Sequence, residues 1–213
     1  MDDHDAGRKR KVQAGLGWPL REGESMITGV LDSGTRQLNG WIVDQLRLQP
    51  YQHVLEIGFG TGRLLEEAAG VLRIGFLAGV ESSASLYQQA YRRNRRFIAR
   101  QLVQLHLGEL ADLPYPPHYF HTVYSHAAMP SGKDRMIELL RLTRLLRSGG
   151  RLVLVSRLAP HRRPMVQRPQ NVNDEPMAER MQQDYIAAGL HRIHLEYRET
   201  AFGAAIAAIG LTA

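Results

Sequence analysis

Apolar positions along the chain follow two alternating rhythms. Short apolar runs of strand length occur at Val54 to Ile57, Gly75 to Glu81, Leu102 to Leu107, Phe120 to Ser125 and Arg151 to Ser156. Runs of this kind suit strands of a parallel sheet that is covered on both faces. Between them the apolar residues recur at helical spacing. Leu38, Trp41, Ile42 and Leu46 form one stripe over Gly34 to Leu46, and Pro50 follows its end. Arg63 to Ala69 continues in the same manner, and Ser85 to Arg100 is expected to bury Leu86, Ala90, Phe97 and Ile98. Lys133 to Leu146 would turn Met136, Leu139, Leu140, Thr143 and Leu146 inward, with Ser148-Gly149-Gly150 as its left-handed cap. Met177 to Ala188 is the last helix, capped by Gly189, and Arg192 to Glu199 with Ala204 to Leu211 gives a closing strand pair. Strands alternating with helices, followed by a hairpin, predict an α/β, doubly wound sheet.

One junction in this pattern carries chemistry. His53-Val54-Leu55-Glu56-Ile57-Gly58-Phe59-Gly60-Thr61-Gly62 is a strand that runs into a glycine turn, and a helix begins at Arg63. Glycine at every second position lets the backbone turn sharply and approach a ligand closely. The free N–H groups of the helix start face whatever the turn cradles. The spacing is G-x-G-x-G, which departs from the dinucleotide fingerprint, and no Gly-Lys-Ser/Thr follows to make a P-loop. Glu56 at the strand end would repel a pyrophosphate but would suit a ligand with an ammonium and a sulfonium. Glu81 ends the next apolar run, where a carboxylate can accept both hydroxyls of a ribose. Ser82 or Ser83 is suited to cap the helix that follows.

Glu56-Ile57-Gly58-Phe59-Gly60-Thr61-Gly62 resembles motif I of the class I S-adenosylmethionine-dependent methyltransferases. Leu31 to Asn39 resembles the leader helix that helps to cover the cofactor in many small-molecule members. Gly108-Glu109-Leu110-Ala111-Asp112-Leu113-Pro114-Tyr115 is similar to the family's Gly-Asp-Ala-x-x-Leu-Pro-Phe segment, with Glu109 in place of the usual aspartate. The resemblance spans about residues 31 to 211 and implies a Rossmann-like, seven-stranded mixed sheet with helices on both faces and the last strand antiparallel. It also implies S-adenosyl-L-methionine as cofactor. Its expected contacts are Glu56, Gly58, Phe59, Gly60, Thr61, Gly62, Glu81 at the ribose, Ser82, Glu109 at the adenine amino group, Leu110 on the adenine face, and Ser125. The loop Ser125 to Met129 follows the fourth strand and should face the methyl group. His126 there is either a general base or substrate ligand, or a polar loop residue.

The acceptor is less legible. Nucleic-acid amino-methylating enzymes of this fold carry Asn/Asp-Pro-Pro-aromatic after the fourth strand, whereas this chain has Ser125-His126-Ala127-Ala128-Met129-Pro130. The chain has no cysteine, which excludes cytosine-C5 chemistry, disulfides and Cys-ligated metals, and no metal is expected. A small-molecule acceptor is the expected partner, and nucleic acid is not. The alternatives are a fold relative that cyclises or cleaves the cofactor, or a nucleic-acid methyltransferase.

Charge changes this picture little. The chain of 213 residues suits one domain over 18–213, with residues 1–17 as a flexible, charged tail. Net charge is +6, from 27 basic and 21 acidic residues, and Lys9, Lys11 and Lys133 are the only lysines. Arg92, Arg93, Arg95, Arg96 and Arg100 crowd one helix end, where they favour the helix dipole or meet phosphates. Residues 157–176 hold Pro160, Pro164, Pro169 and Pro176 among arginines and cannot be one helix; a substrate-side lid or a linker would both fit. No apolar run is long enough for a membrane span, and the N-terminus is charged without a signal-peptide core, so a cytoplasmic protein is expected.

Overall fold

Val54, Leu55, Glu56 and Ile57 are all buried and leave β1 (His53–Ile57) with no face to offer solvent, so the strand sits in the middle of a sheet. The computed structural model describes residues 31–126, 134–157, 175–200 and 203–213. The expected tail, the covering segment from Trp18 to Leu31, the loop at 127–133 and residues 158–174 of the lid-like segment lie outside the described residues, apart from Leu31 itself. The chain proceeds through α1 (Leu31–Leu46), β1, α2 (Arg63–Val71), β2 (Phe76–Glu81), α3 (Ala84–Ala99), β3 (Val103–Leu107) and a short 3-10 turn at Leu110–Asp112. It continues through β4 (Phe120–Ser125), α4 (Arg135–Leu145), β5 (Leu146–Arg157), α5 (Glu175–Ala187), β6 (His191–Thr200) and β7 (Gly203–Leu211).

The strands form one seven-stranded sheet in the order β3-β2-β1-β4-β5-β7-β6. β1 to β5 run parallel to one another, and β7 runs antiparallel to both β5 and β6. This is the doubly wound, mixed sheet with an antiparallel last strand that the sequence implies. Strand order reverses between β1 and β4, which opens a crevice at their carboxyl ends. The period-2 alternation of the strands sends side chains to two layers. α1, α2 and α3 cover one face, packing Ile42, Leu65 and Ala90 on Val54, Leu77 and Tyr124. α4 and α5 cover the other, packing Leu139, Met181 and Tyr185 on Leu55, Val123 and Leu152.

Several details differ from the sequence expectation. α1 begins three residues earlier than Gly34. In α4 the inward stripe runs through Leu139 and Leu142 to Leu146, a spacing of three and four, whereas Leu140 is 48 % exposed. Leu86 is only half-buried, and Asn94 takes a buried place on α3. The glycine pair after α4 is not its cap, because α4 ends at Leu145 and β5 starts at once. Gly149 has φ 69°, and this left-handed residue sits in an irregular stretch of β5, where the pairing with β4 slips between Phe120 and Thr122. The Gly150 N–H donates to Thr212 Oγ1 at 3.0 Å, tying this stretch to the residues after β7. Gly189, with φ 79°, follows α5 as expected, its N–H bonded to Ile186 O at 3.0 Å. Among the described residues no helix is long and apolar enough to cross a membrane.

Candidate cofactor and methyl-transfer site

The glycine turn is held from three sides. Gly58 continues the sheet, its N–H donating to Val80 O at 2.8 Å. The ring of Phe59 is 1 % exposed and turns into the core across Gly79, where a Cβ would lie 2.7 Å from Phe59 Cδ1. Phe59 therefore anchors the turn by its side chain and offers only backbone to a ligand. α3 grips the end of the turn: Asn94 Nδ2 donates to Gly62 O at 3.0 Å and Arg93 Nε donates to Thr61 O at 3.0 Å. Arg96 and Arg93 also reach Glu66 of α2, at 3.1 and 3.8 Å, so part of the arginine cluster joins two helices.

The glycines of the turn serve different ends. Gly62, with φ 71°, is where α2 and α3 meet, and a Cβ there would lie 2.6 Å from Ala90 Cβ. Gly60, with φ 53°, would place a Cβ with no atom of the described residues within 4 Å, on the open side of the turn. The close approach expected of these glycines is thus, at Gly62, an approach to a helix and not to a ligand.

Glu81 ends β2 and is 1 % exposed. Its Oε2 accepts the Gly60 N–H at 2.9 Å and its Oε1 accepts the Ser83 N–H at 2.9 Å. These charge-assisted bonds fix the turn against the strand, and each oxygen keeps a second lone pair. Ser83, rather than Ser82, caps α3, its hydroxyl accepting from Leu86 N at 3.4 Å. Ser82 and Thr61 are exposed beside the turn. Glu109 is exposed after β3, its N–H bonded to Asp112 Oδ2 at 3.2 Å, and Leu110 is half-buried against the core. Ser125, 1 % exposed, ends β4 in register with Ile57.

Glu56 is the most enclosed acid among the described residues, with 0 % exposure. Its register partner on β4 is Tyr124, whose hydroxyl donates to Glu56 Oε2 at 2.8 Å. Burial first, and then the adjacent Glu56 carboxylate, push the Tyr124 phenol well above the usual tyrosine range, so it stays a donor. The other oxygen, Oε1, lies 3.3 Å from Nδ1 of His126. Tyr124 and Asn94 shape the site although the sequence pattern does not single them out, whereas Ser83 is one of the two expected cap residues.

The donor and acceptor set fits S-adenosylmethionine on three counts. Glu56 Oε1 is buried without a hydrogen-bond partner among the described residues, and a buried carboxylate oxygen of this kind suits an ammonium. Gly62 caps α2 without a side chain, so the first-turn N–H groups of this nine-residue helix remain available to a carboxylate. Gly60 leaves the approach to the turn open, with the free lone pairs of Glu81 alongside.

Fold and site together define the class I S-adenosylmethionine-dependent methyltransferases. The chain belongs to this family: residues 55–154 match the family model described as a methyltransferase domain. It is 32% identical over 148 residues to a demethylmenaquinone methyltransferase of Symbiobacterium thermophilum, a match that covers 68% of this chain and 58% of that protein. It is 26% identical over 118 residues to an O-methyltransferase of Penicillium expansum, covering 54% of this chain and 42% of that one. The chain thus spans about half the length of these two relatives. Among solved structures, a SAM-dependent methyltransferase from Aquifex aeolicus superposes with a TM-score of 0.64 at 14% identity, covering 82% of this chain and 89% of that one. At that identity the likeness is one of fold.

Proposed function

We propose that the chain transfers the methyl group of S-adenosyl-L-methionine to a small organic acceptor and releases S-adenosylhomocysteine. The observation that carries this reading is the pair of buried carboxylates, Glu56 and Glu81, on either side of an open glycine turn at the carboxyl ends of β1 and β2. In this reading the α2 N-terminus and Glu56 receive the charged amino-acid end of the cofactor, and Glu81 accepts the ribose hydroxyls. Gly58, Phe59, Gly60, Thr61 and Gly62 line the turn with backbone, Ser82 and Ser125 border it, and Glu109 and Leu110 flank the adenine. The methyl donor is intrinsically reactive, so alignment and exclusion of water account for most of the catalysis. The acceptor's lone pair forms the new bond to the methyl carbon while the C–S pair stays on sulfur. His126, beside the path of transfer, takes a proton where the acceptor arrives protonated.

Two features support a small acceptor. The residues after β4 lack the Asn/Asp-Pro-Pro-aromatic signature of amino-methylating nucleic-acid enzymes. The relatives named above act, by their names, on demethylmenaquinone and on an oxygen atom. Phenols and hydroquinones are therefore the acceptors to screen first. The test is calorimetric titration with S-adenosylmethionine, then incubation with such a panel and chromatography of the nucleoside product. S-adenosylhomocysteine together with a methylated acceptor is the expected outcome. Methylthioadenosine in its place would overturn the transfer reading in favour of cofactor cleavage or cyclisation.

A further inference from the structure

Glu56, Tyr124 and His126 lie on one side of two neighbouring strands. Glu56 and Tyr124 are opposite each other in the β1–β4 ladder, and His126 is two residues beyond Tyr124. Strand alternation brings Glu56 and Tyr124 towards the layer of α1 to α3, and His126, one residue past β4, lies against Glu56. Tyr124 donates to Oε2 at 2.8 Å, and the direction is fixed because a carboxylate can only accept. Glu56 is thereby locked with its second oxygen, Oε1, turned to His126 Nδ1 at 3.3 Å. Among the described residues neither atom has a hydrogen-bond partner, since the two are close but out of line. Catalytic hydrogen bonds in ligand-free sites are commonly long or poorly aligned and tighten on binding. The two side chains differ in access: His126 is 26% exposed and Glu56 0%. One ring nitrogen therefore faces a buried anion while part of the imidazole is open to solvent.

We propose that Glu56, fixed by Tyr124, is a positioning residue that holds His126 in the Nδ1–H tautomer, so that Nε2 carries the lone pair. This rests on the reading of the pocket as a methyl-transfer site. A carboxylate can only accept, so Nδ1 must be the donor to it, and the remaining lone pair of a neutral imidazole is then on Nε2. As methyl transfer proceeds, the bond from the acceptor atom to its hydrogen breaks and the proton goes to Nε2. The freed pair forms the bond to the methyl carbon, and the C–S pair leaves with sulfur. The resulting imidazolium faces the Glu56 carboxylate, which stabilises it until the proton passes to solvent. Oε1 has two lone pairs, so facing Nδ1 does not exclude a cofactor ammonium from the same oxygen.

The test is a spectroscopic one on the full chain with 15N-labelled histidine, recorded at about pH 8.5, where an ordinary imidazole is neutral. Two-bond nitrogen–proton correlations report the tautomer, and His126 is assigned by the signals missing in His126→Gln. The wild-type protein should show His126 as Nδ1–H. In Glu56→Gln, Tyr124 still donates to the side-chain oxygen, so the NH2 group faces Nδ1 and should switch His126 to Nε2–H. Wild-type His126 as Nε2–H, or an unchanged tautomer in Glu56→Gln, would overturn the proposal, and the wild-type spectrum decides even if the variant does not fold. Calorimetry with S-adenosylmethionine separates the two readings. Binding combined with the wrong tautomer sinks the positioning role alone, whereas absence of binding sinks the site. With an acceptor found in the screen, His126→Gln should lower kcat by about 100-fold or more while KM for S-adenosylmethionine stays within about twofold.

Discussion

The two ends of the same sheet treat their polar groups in opposite ways. At the amino ends of β1, β2 and β4, rings pack on one another: Tyr115 and Tyr119 stack at 5.3 Å, Phe120 meets Tyr119 edge-on at 5.0 Å, and His53 lies 4.8 Å from Tyr119. Polar atoms there close on neighbours, as when the His53 N–H donates to His121 Nδ1 at 3.0 Å. At the carboxyl ends the same strands finish in buried carboxylates, left-handed glycines and an acceptor atom left over at Glu56. The strands and their ladders are common to both ends, so the fold alone does not produce the contrast. One end is built to close the core, and the other holds polar groups in readiness for a ligand.

Substitutions at the two ends should therefore separate stability from binding. Phe120→Ala removes a fully buried ring from the closed end and should cost about 3–5 kcal/mol in denaturant unfolding. Affinity of the remaining folded protein for S-adenosylmethionine should hold, and a parallel loss of affinity would blur the contrast. Within the glycine turn the same division recurs on a smaller scale. Gly62→Ala meets both a left-handed backbone and the Ala90 methyl, and should cost about 2–4 kcal/mol of stability. Gly60→Ala meets only the backbone term, about 1–2 kcal/mol, yet should weaken the cofactor more than Gly62→Ala does in the molecules that fold. Equal effects on binding would show that the turn does not distinguish its helix side from its ligand side.

The smallest effect concerns pH. Burial lowers the pKa of His106, and burial together with Arg147 and His53 lowers that of His121. Each binds its proton less readily folded than unfolded, so this contribution is whole above about pH 6.5 and is lost as pH falls through that value towards the lower folded one. Thermal midpoints measured down to about pH 5.5 should fall, and His121→Gln should flatten the slope. An unchanged slope would mean that His121 is as easily protonated folded as unfolded.

The turn and its acids were legible in the sequence because their signals are local. A strand, three alternate glycines and a helix occupy one continuous stretch, and Glu81 marks the end of the next apolar run. The seven-stranded sheet and its antiparallel β7 came from the family resemblance, not from spacing. Tyr124 was missed because its partner Glu56 is 68 residues away, and which strand positions face each other is set by sheet register, which the residues around either one do not reveal locally. Asn94 sat among arginines and looked solvated, although its place four residues after Ala90 puts it on the buried stripe of α3. Leu140 illustrates the reverse error: an apolar side chain near the inward stripe was counted as core while Leu142 held the place. Gly149 resembled a helix stop because a left-handed glycine serves a bulge and a cap equally well.

The most direct test of the whole account is calorimetric titration of the wild-type chain and of Glu81→Ala with S-adenosylmethionine. One molecule should bind per wild-type chain, and the substitution should weaken binding by about 1–3 kcal/mol through loss of charge-assisted hydrogen bonds. No binding by the wild-type chain, or equal affinity in the two proteins, would contradict it.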